Sequence, residues 1–479
     1  MSGAVQFAAP APAAATRAAV PSVPMPLSEI FELVTESIEA GRLDRAERLL
    51  GHVLAVAPAQ PDALHMSGLI AFRRKKLPEA AALMERSVAQ GARKPAYLRN
   101  LSELYRVLGR LDDAVAYARQ AVSGDPADPL SSFNLAMVYY DRMEIVPCLS
   151  AARHAVELRP SLPQAHMKLG QAYLLQGEME RGWDEYEWRY QIPGAQALMP
   201  KTERPQWDGA PMPDQKLLLV ADQGFGDVVM FARYIPWVLE RCPDVVVACS
   251  IEMFSILKRT YPGVTLFTRW DECPVYAAFC PFSGLPRLHG TRLDNIPAAA
   301  PYLAPEADRA AIWGARLAER IPAGMLRVGI AWAGRPTHNN DHNRTVHLSI
   351  FAPLAQVPGV VFVSLQKGDD AAQVASWPGP APLIDLNAEL ETFEDTMAVM
   401  SHLDLLITVD TALGHFAGAM GVAAWVMVPF APDWRWLRDR TDTPWYRTLR
   451  LFRHPATRRW DLVIPAVTAA LEQRVAGGG

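Results

Sequence analysis

Apolar positions between Pro26 and Tyr190 return every 34 residues. Ala46, Ala80 and Ala114 fall in step, as do Leu101, Leu135 and Leu169, and Tyr105, Tyr139 and Tyr173. Gly68 and Gly170 occupy the place after the Leu position, and Pro58, Pro126 and Pro160 share a register of their own. A period of this length predicts helical hairpins, each closed near a proline. Small residues such as Ala46 and Ala80 let the two helices of a hairpin approach. Large ones such as Tyr105 and Tyr139 fill the groove towards the next hairpin. One hairpin buries too little surface to stand alone, so residues 27–190 are expected to stack about five of them, the first degenerate. The last, GQAYLLQGEMERGWDEYEWRY, ends in aromatics instead of proline. Trp183, Tyr186, Trp188 and Tyr190 have roughly helical spacing and are expected to plug the array onto the next domain.

The pattern resembles the tetratricopeptide repeat, whose consensus puts Leu, Gly and Tyr on the first helix and Ala on the second. The resemblance implies an α-helical solenoid with a concave groove for a protein or peptide. An array that merely caps its neighbour is the alternative. Residues 1–26 are Ala/Pro-rich and read as a disordered tail, since prolines interrupt every stretch that a secretory signal would need. Residues 191–215, with PQWDG at 205–209, read as an ordered linker.

After residue 215 the pattern changes. KLLLVA (216–221) is a continuous apolar run, hence a buried strand. It enters DQGFGDVVMFARYI (222–235), a turn with two glycines and then an amphipathic helix, which is how a Rossmann-like unit begins. VVVACS (245–250) and VTLF (264–267) read as further strands. After a Pro/Ala-rich crossing near 297–305 the alternation restarts. RVGIAW (327–332), VVFVSLQ (360–366), LIDL (383–386), LLITVD (405–410) and AAWVMVP (423–429) read as strands. HLSIFAPLAQ (347–356), FEDTMAVMSHL (393–403) and TALGHFAGAMG (411–421) read as helices. Two consecutive sets imply two α/β domains, 216–305 and 306–479, facing across a cleft.

Composition narrows the class. The chain is 50% hydrophobic and 20% charged with a net charge of −4, so no global positive field suggests nucleic acid. No apolar run approaches the ~18–20 residues that span a bilayer. A cytoplasmic location is expected. Cys148, Cys242, Cys249, Cys273 and Cys280 contain no C-x-x-C pair and read as reduced, mostly buried thiols. His338 and His342 flank a polar loop without the setting of a metal site.

Several segments together carry a second resemblance: GWDEYEWRY, PQWDG, the DQGFGD turn, FARY, the Arg of DHNRT, SLQKG, LITVDTALGHFAGAMG, PDWRW and PWYRTLRLFR. In this order they resemble bacterial tetratricopeptide-containing proteins with a heptosyltransferase-like (family 9-type) glycosyltransferase domain. The resemblance implies a GT-B fold, two Rossmann-like domains, with no metal or other cofactor and a nucleotide sugar as substrate. It also implies a protein acceptor such as flagellin, modified on Ser or Thr and recruited by the repeats.

A leaving nucleotide carries negative charge that basic groups and helix N-termini must stabilise. The resemblance places the donor phosphate at Asp410, Thr411, Gly414 and His415. Thr411 is expected to cap the helix through its side chain, although Ala412 stands where relatives usually have Gly. A capped core helix with a buried histidine is the other reading. Arg344 and, with Gln366, Lys367 are the cationic candidates at strand ends, against simple surface residues. The turn Gln223, Gly224, Gly226 would let a ligand approach. The resemblance puts the base of an inverting transfer there, at Asp227; an ordinary helix cap is the alternative. Asp222 stands where relatives commonly have Glu. Residues 433–459 hold eight arginines among aromatics, including Trp434, Trp436, Trp445 and Tyr446. They are expected to shape the donor pocket and pack the last helix back across the cleft. A repeat scaffold with an inactive α/β part, and a lipopolysaccharide-core transferase, are the competing functions.

Overall fold

The computed structural model describes residues 25–194, 199–297, 301–338, 340–455 and 459–477. The expected tail therefore lies almost wholly outside the described residues. The chain divides into two compact units, one up to Leu104 and the other from Tyr105.

The first unit contains α1 (Leu27–Glu39), α2 (Leu43–Val56), α3 (Pro61–Arg73), α4 (Leu77–Ala89) and the beginning of α5 (Pro95–Leu108), in which the division falls. Val34, Ile38, Ala46, Leu50, Val53, Ala63 and Ile70 form its core. Gly68 shows why the repeat needs a small residue: a Cβ there would lie 2.7 Å from Met84 Cγ of the facing helix.

The second unit opens with α6 (Leu111–Gly124), α7 (Pro129–Asp141), α8 (Ile145–Leu158), α9 (Pro163–Gln176), α10 (Met179–Tyr186) and a 3-10 turn, Glu187–Gln191. The repeat period recurs in its bonds. Arg119 donates to the Tyr139 hydroxyl and Arg153 to the Tyr173 hydroxyl, each at 3.0 Å. A second proline series also keeps the period. Pro61, Pro95, Pro129 and Pro163 each open a helix, where the missing N–H costs nothing.

A four-stranded parallel sheet comes next, built from β1 (Leu217–Val220), β2 (Val245–Ala248), β3 (Thr265–Phe267) and β4 (Ala278–Pro281) in the order β3-β2-β1-β4. With it go α11 (Phe225–Ala232), α12 (Ile235–Leu239), α13 (Ile251–Thr260) and α14 (Leu285–Leu288). The linker is pinned to this sheet, Trp207 N–H donating to Phe279 O at 2.7 Å. After α15 (Ala307–Arg320), six parallel strands form the second sheet: β5 (Leu326–Ala331), β6 (Val360–Ser364), β7 (Leu383–Asp385), β8 (Leu405–Val409), β9 (Ala424–Val428) and β10 (Leu449–Arg453). Their order is β10-β9-β8-β5-β6-β7. The helices of this part are α16 (Asp341–Arg344), α17 (Phe393–Met400), α18 (Ala412–Met420) and α19 (Ile464–Ala476).

One apolar core runs from α7–α10 through α11 and the helix-covered face of the first sheet to α17, α18 and one face of the second. The opposite face of the second sheet packs on α19, with Val467 and Leu471 fully buried.

Three expectations are corrected. HLSIFAPLAQ is two 3-10 turns, Leu348–Phe351 and Leu354–Gln356, not a helix. Pro353 lies between them, and its missing N–H and ring interrupt any continuous helix. The helix after the glycine turn is not amphipathic, because Val228 to Ala232 are all buried between sheet and α18. The last helix stays on its own sheet instead of crossing back, since its apolar residues meet Val328, Ile330 and Val360 of β5 and β6.

Candidate active site

In an open parallel sheet, ligands bind beyond the carboxyl ends of the strands where the strand order reverses. In the second sheet the reversal lies between β5 and β8. The chain after β5 carries Arg344, and the chain after β8 carries Asp410 and Thr411. These are brought together: Arg344 Nη1 donates to the Asp410 carbonyl at 2.9 Å, and Nε to Asp341 at 3.2 Å. In the first sheet the reversal lies between β1 and β4. Asp222 follows β1 and accepts from Ser283 N–H, after β4, at 3.0 Å and from the Ser283 hydroxyl. Tyr190 reaches the same pair, its hydroxyl 2.9 Å from Ser283 Oγ. Asp222 is thus a saturated clamp, and Gln223 leans on it, donating at 3.3 Å.

The two reversal points meet because α11 packs on α18. Gly226 permits it. A Cβ there would lie 2.7 Å from His415 Cδ2 and 3.4 Å from Ala412 Cα, so this glycine serves the helix–helix seam. Gly414 serves packing on the sheet, where a Cβ would stand 3.3 Å from Val426 Cγ2. Gly224 is exposed at the start of α11.

Asp227 lies in the first turn of α11 with its side chain 22% exposed, and Arg435 Nη2 donates to it. Arg435 Nη1 donates to Asp433 at 2.7 Å, and its guanidinium lies 4.2 Å over the Trp434 ring. Burial raises the Asp227 carboxyl, helped by the Asp433 and Asp222 charges and opposed by Arg435. Asp410 is only partly exposed, and burial with the Asp433 charge lifts it to about 6. His415 is buried, with Nδ1 3.0 Å from the Tyr446 hydroxyl and its ring 5.4 Å from Trp436. Burial lowers its pKa to about 3, so it is a neutral ring turned into the seam.

The remaining candidates fall elsewhere. Gln366 is buried and accepts from Trp332 and Ala333 N–H at 3.0 and 2.9 Å, holding the end of β5. Lys367 donates to the carbonyls of Asn387 and Leu390 at 2.5 and 2.8 Å, which ties down the approach to α17. Thr411 stands at the N-cap of α18 but makes no side-chain cap. That expectation is corrected, because its hydroxyl pairs instead with Thr408 Oγ1 at 3.2 Å.

Asp433 and Arg435 were not singled out by sequence. The PDWRW segment and its arginine-rich surroundings were the available signal, and only packing shows which arginine turns inward. Its three residues Trp434, Arg435 and Trp436 each touch a different part. Trp434 meets Trp183 edge-on at 5.1 Å and Tyr186 at 5.8 Å. Arg435 grips α11, and Trp436 covers His415. The aromatic run at the end of the repeats therefore docks on this segment. Trp188 and Tyr190 are the exceptions: Trp188 stacks on His166 at 3.9 Å, and the Tyr190 hydroxyl lies 2.9 Å from Ser283 Oγ. The described residues include no helix long and apolar enough to cross a membrane.

The class that emerges is a helical-repeat array joined to a parallel α/β part. Residues 31–96, 78–129 and 99–142 match the tetratricopeptide repeat family, so the N-terminal part is an array of that type. The chain is 26% identical over 451 residues to Protein FlbA of Caulobacter vibrioides, covering 86% of this chain and 73% of that one. Among the solved structures similar to part of the chain are these two. YrrB, a TPR protein with an unusual peptide-binding site, is 17% identical over 34% of this chain and 84% of its own, with a TM-score of 0.30. PilF of Pseudomonas aeruginosa is 16% identical over 36% and 79%, with a TM-score of 0.33.

Proposed function

We propose that the chain is an inverting glycosyltransferase that moves a sugar from a nucleotide-activated donor to a protein acceptor recruited by its repeats. The observation that carries the reading is the close approach of Gly226, the neighbour of Asp227 after β1, to Ala412 and His415 in the first turn of α18 after β8, at the reversal points of both sheets. In this reading the α/β part is a GT-B fold. Asp227 takes the proton of an acceptor hydroxyl, whose oxygen attacks the anomeric carbon as the bond to the phosphate oxygen breaks. A carboxyl raised by burial is a better base than an ordinary one. The backbone N–H groups opening α18 and the Arg344 guanidinium receive the charge that grows on the leaving nucleotide. No metal is needed for these roles.

The experiment is calorimetry with UDP, GDP, ADP and CMP in the presence of EDTA. One of them is expected to bind, and Arg344→Ala to weaken it by about 1.5–3 kcal/mol, roughly tenfold to a hundredfold. If none binds, or all bind only with a divalent cation, the reading is wrong. A second reading, a protein-binding adaptor with an inactive α/β part, is favoured by one observation. The charged residues of the seam already pair among themselves, Arg344 with Asp341 and Arg435 with Asp227 and Asp433. Absence of nucleotide binding together with peptide capture would select it.

A further inference from the structure

We propose that Arg435 is a phosphate-binding residue whose place is held, in the free protein, by Asp227 and Asp433, so that an arriving diphosphate takes its guanidinium and releases Asp227 to act as the base. The inference deepens the transferase reading and rests on it for the diphosphate.

The geometry of the guanidinium points there. Asp227 occupies Nη2 and Asp433 occupies Nη1, while Nε is shielded from solvent and has no acceptor. A planar fork built for paired oxygens is thus shared by two separate carboxylates and left one bond short. Such a buried orphan donor calls for an explanation, and a ligand oxygen supplies one. Phosphoryl oxygens are acceptors of the same kind as carboxylate oxygens, so the exchange needs no new arrangement of the fork.

Charge is also arranged for the exchange. Two carboxylates on one guanidinium leave a net charge of minus one, and Asp433 would lose its partner when Arg435 turns to phosphate. Lys168 of α9 can take it over. Its residue is 8% exposed, and its ammonium lies 3.9 Å from the Tyr140 ring centre. Among the described residues no carboxylate lies within ion-pairing distance of it, and the Asp141 and, to a lesser degree, Asp433 charges act on it from further off. The neighbouring Tyr140 hydroxyl donates to Pro432 O at 3.3 Å, immediately before Asp433. A buried cation held by no direct ion pair can engage a carboxylate that is freed nearby. Pairing with Arg435 also suppresses the basicity of Asp227, so base catalysis would wait for the donor.

The test is calorimetry on the full chain with inorganic pyrophosphate as the probe. Asp227→Asn, nearly isosteric, removes the competing charge and is expected to bind pyrophosphate at least about threefold more tightly than wild type. In the Arg435→Gln background that gain is expected to vanish; Arg435→Lys, which keeps the charge without the fork, replaces it if the Gln variant does not fold. Equal or weaker binding by Asp227→Asn overturns the proposal, as does a gain that persists without Arg435, which would be a field effect. The two readings fail separately. Tightening on pyrophosphate without any nucleotide binding sinks the transferase and leaves the exchange. Nucleotide binding without tightening does the reverse.

Discussion

Gly226→Ala separates a ligand-approach glycine from a packing glycine. The added Cβ would lie 2.7 Å from His415 Cδ2 and 3.4 Å from both His415 Cγ and Ala412 Cα. Carbon atoms settle at about 3.5–4.0 Å, so roughly 1 Å of separation must be created. The helix backbone at Ala412 offers little give. The imidazole is held by the Tyr446 hydroxyl at 3.0 Å and lies against Trp436. Overpacking of this kind costs about 1–3 kcal/mol, and the helix preference of Ala over Gly returns at most ~1 kcal/mol. A net loss of about 1–2 kcal/mol is expected. His415→Ala empties the space that the new methyl needs, so the double variant should be more stable than the sum of the singles by at least ~1 kcal/mol. Urea denaturation followed by tryptophan fluorescence measures the cycle, and nucleotide affinity is read on the same proteins. Additivity within about 0.5 kcal/mol would refute the packing argument. Stability recovered in the double variant without recovery of nucleotide affinity would return Gly226 to a ligand role.

The other expectations rest on burial and connectivity. The Asp410 carboxyl, raised to about 6, binds its proton more tightly folded than unfolded, so its contribution to stability falls as pH rises from about 4 through 6. Asp410→Asn should therefore be more stable than wild type at pH 7.5, by about 3 kcal/mol at most, and indistinguishable near pH 4; a thermal-melt series against pH checks it, and equal stability at both pH values refutes it. Trp434→Ala removes a side chain that is 1% exposed and joins α10 to the site, and a loss of about 3–5 kcal/mol is expected in the same denaturation assay. A chain beginning at Pro95 should fold and keep nucleotide binding, whereas one beginning at Pro163 should be insoluble. The second cut removes α7 and α8, whose Tyr140, Ile145 and Leu149 belong to the core shared with the α/β part; soluble, cooperative melting of the shorter chain would contradict that.

Much of the architecture could be read along the chain. Helical hairpins come from a period that places Ala46, Ala80 and Ala114 at full burial, and the strands of both sheets come from apolar runs. Two strands escaped. AFCP of β4 is short and holds a proline, and LRLFR of β10 alternates with arginines that read as charge rather than as a sheet edge. The helix expected at 347–356 failed because one proline outweighs a favourable apolar pattern.

The candidate site divides along the same line. Arg344 was legible as a strand-end cation and Asp410 through the family resemblance, and the strand order of the sheet brings the two together. The packing roles of Gly226 and Arg435 were not legible, and a buried His415 stood only as the alternative reading. A glycine reads the same whether a ligand or a histidine occupies the space beside it, and a histidine does not announce that burial holds it neutral. Arg435 meets Asp227 across 208 residues of chain, one arginine chosen from eight in its segment. Periodicity records which face of each element is apolar, so the sequence by itself determined the repeats, eight of the ten strands and the order in which those come. Which polar side chains meet depends on how those faces are pressed together. The packing of α11 on α18 and of Trp434 on α10 decided that in three dimensions.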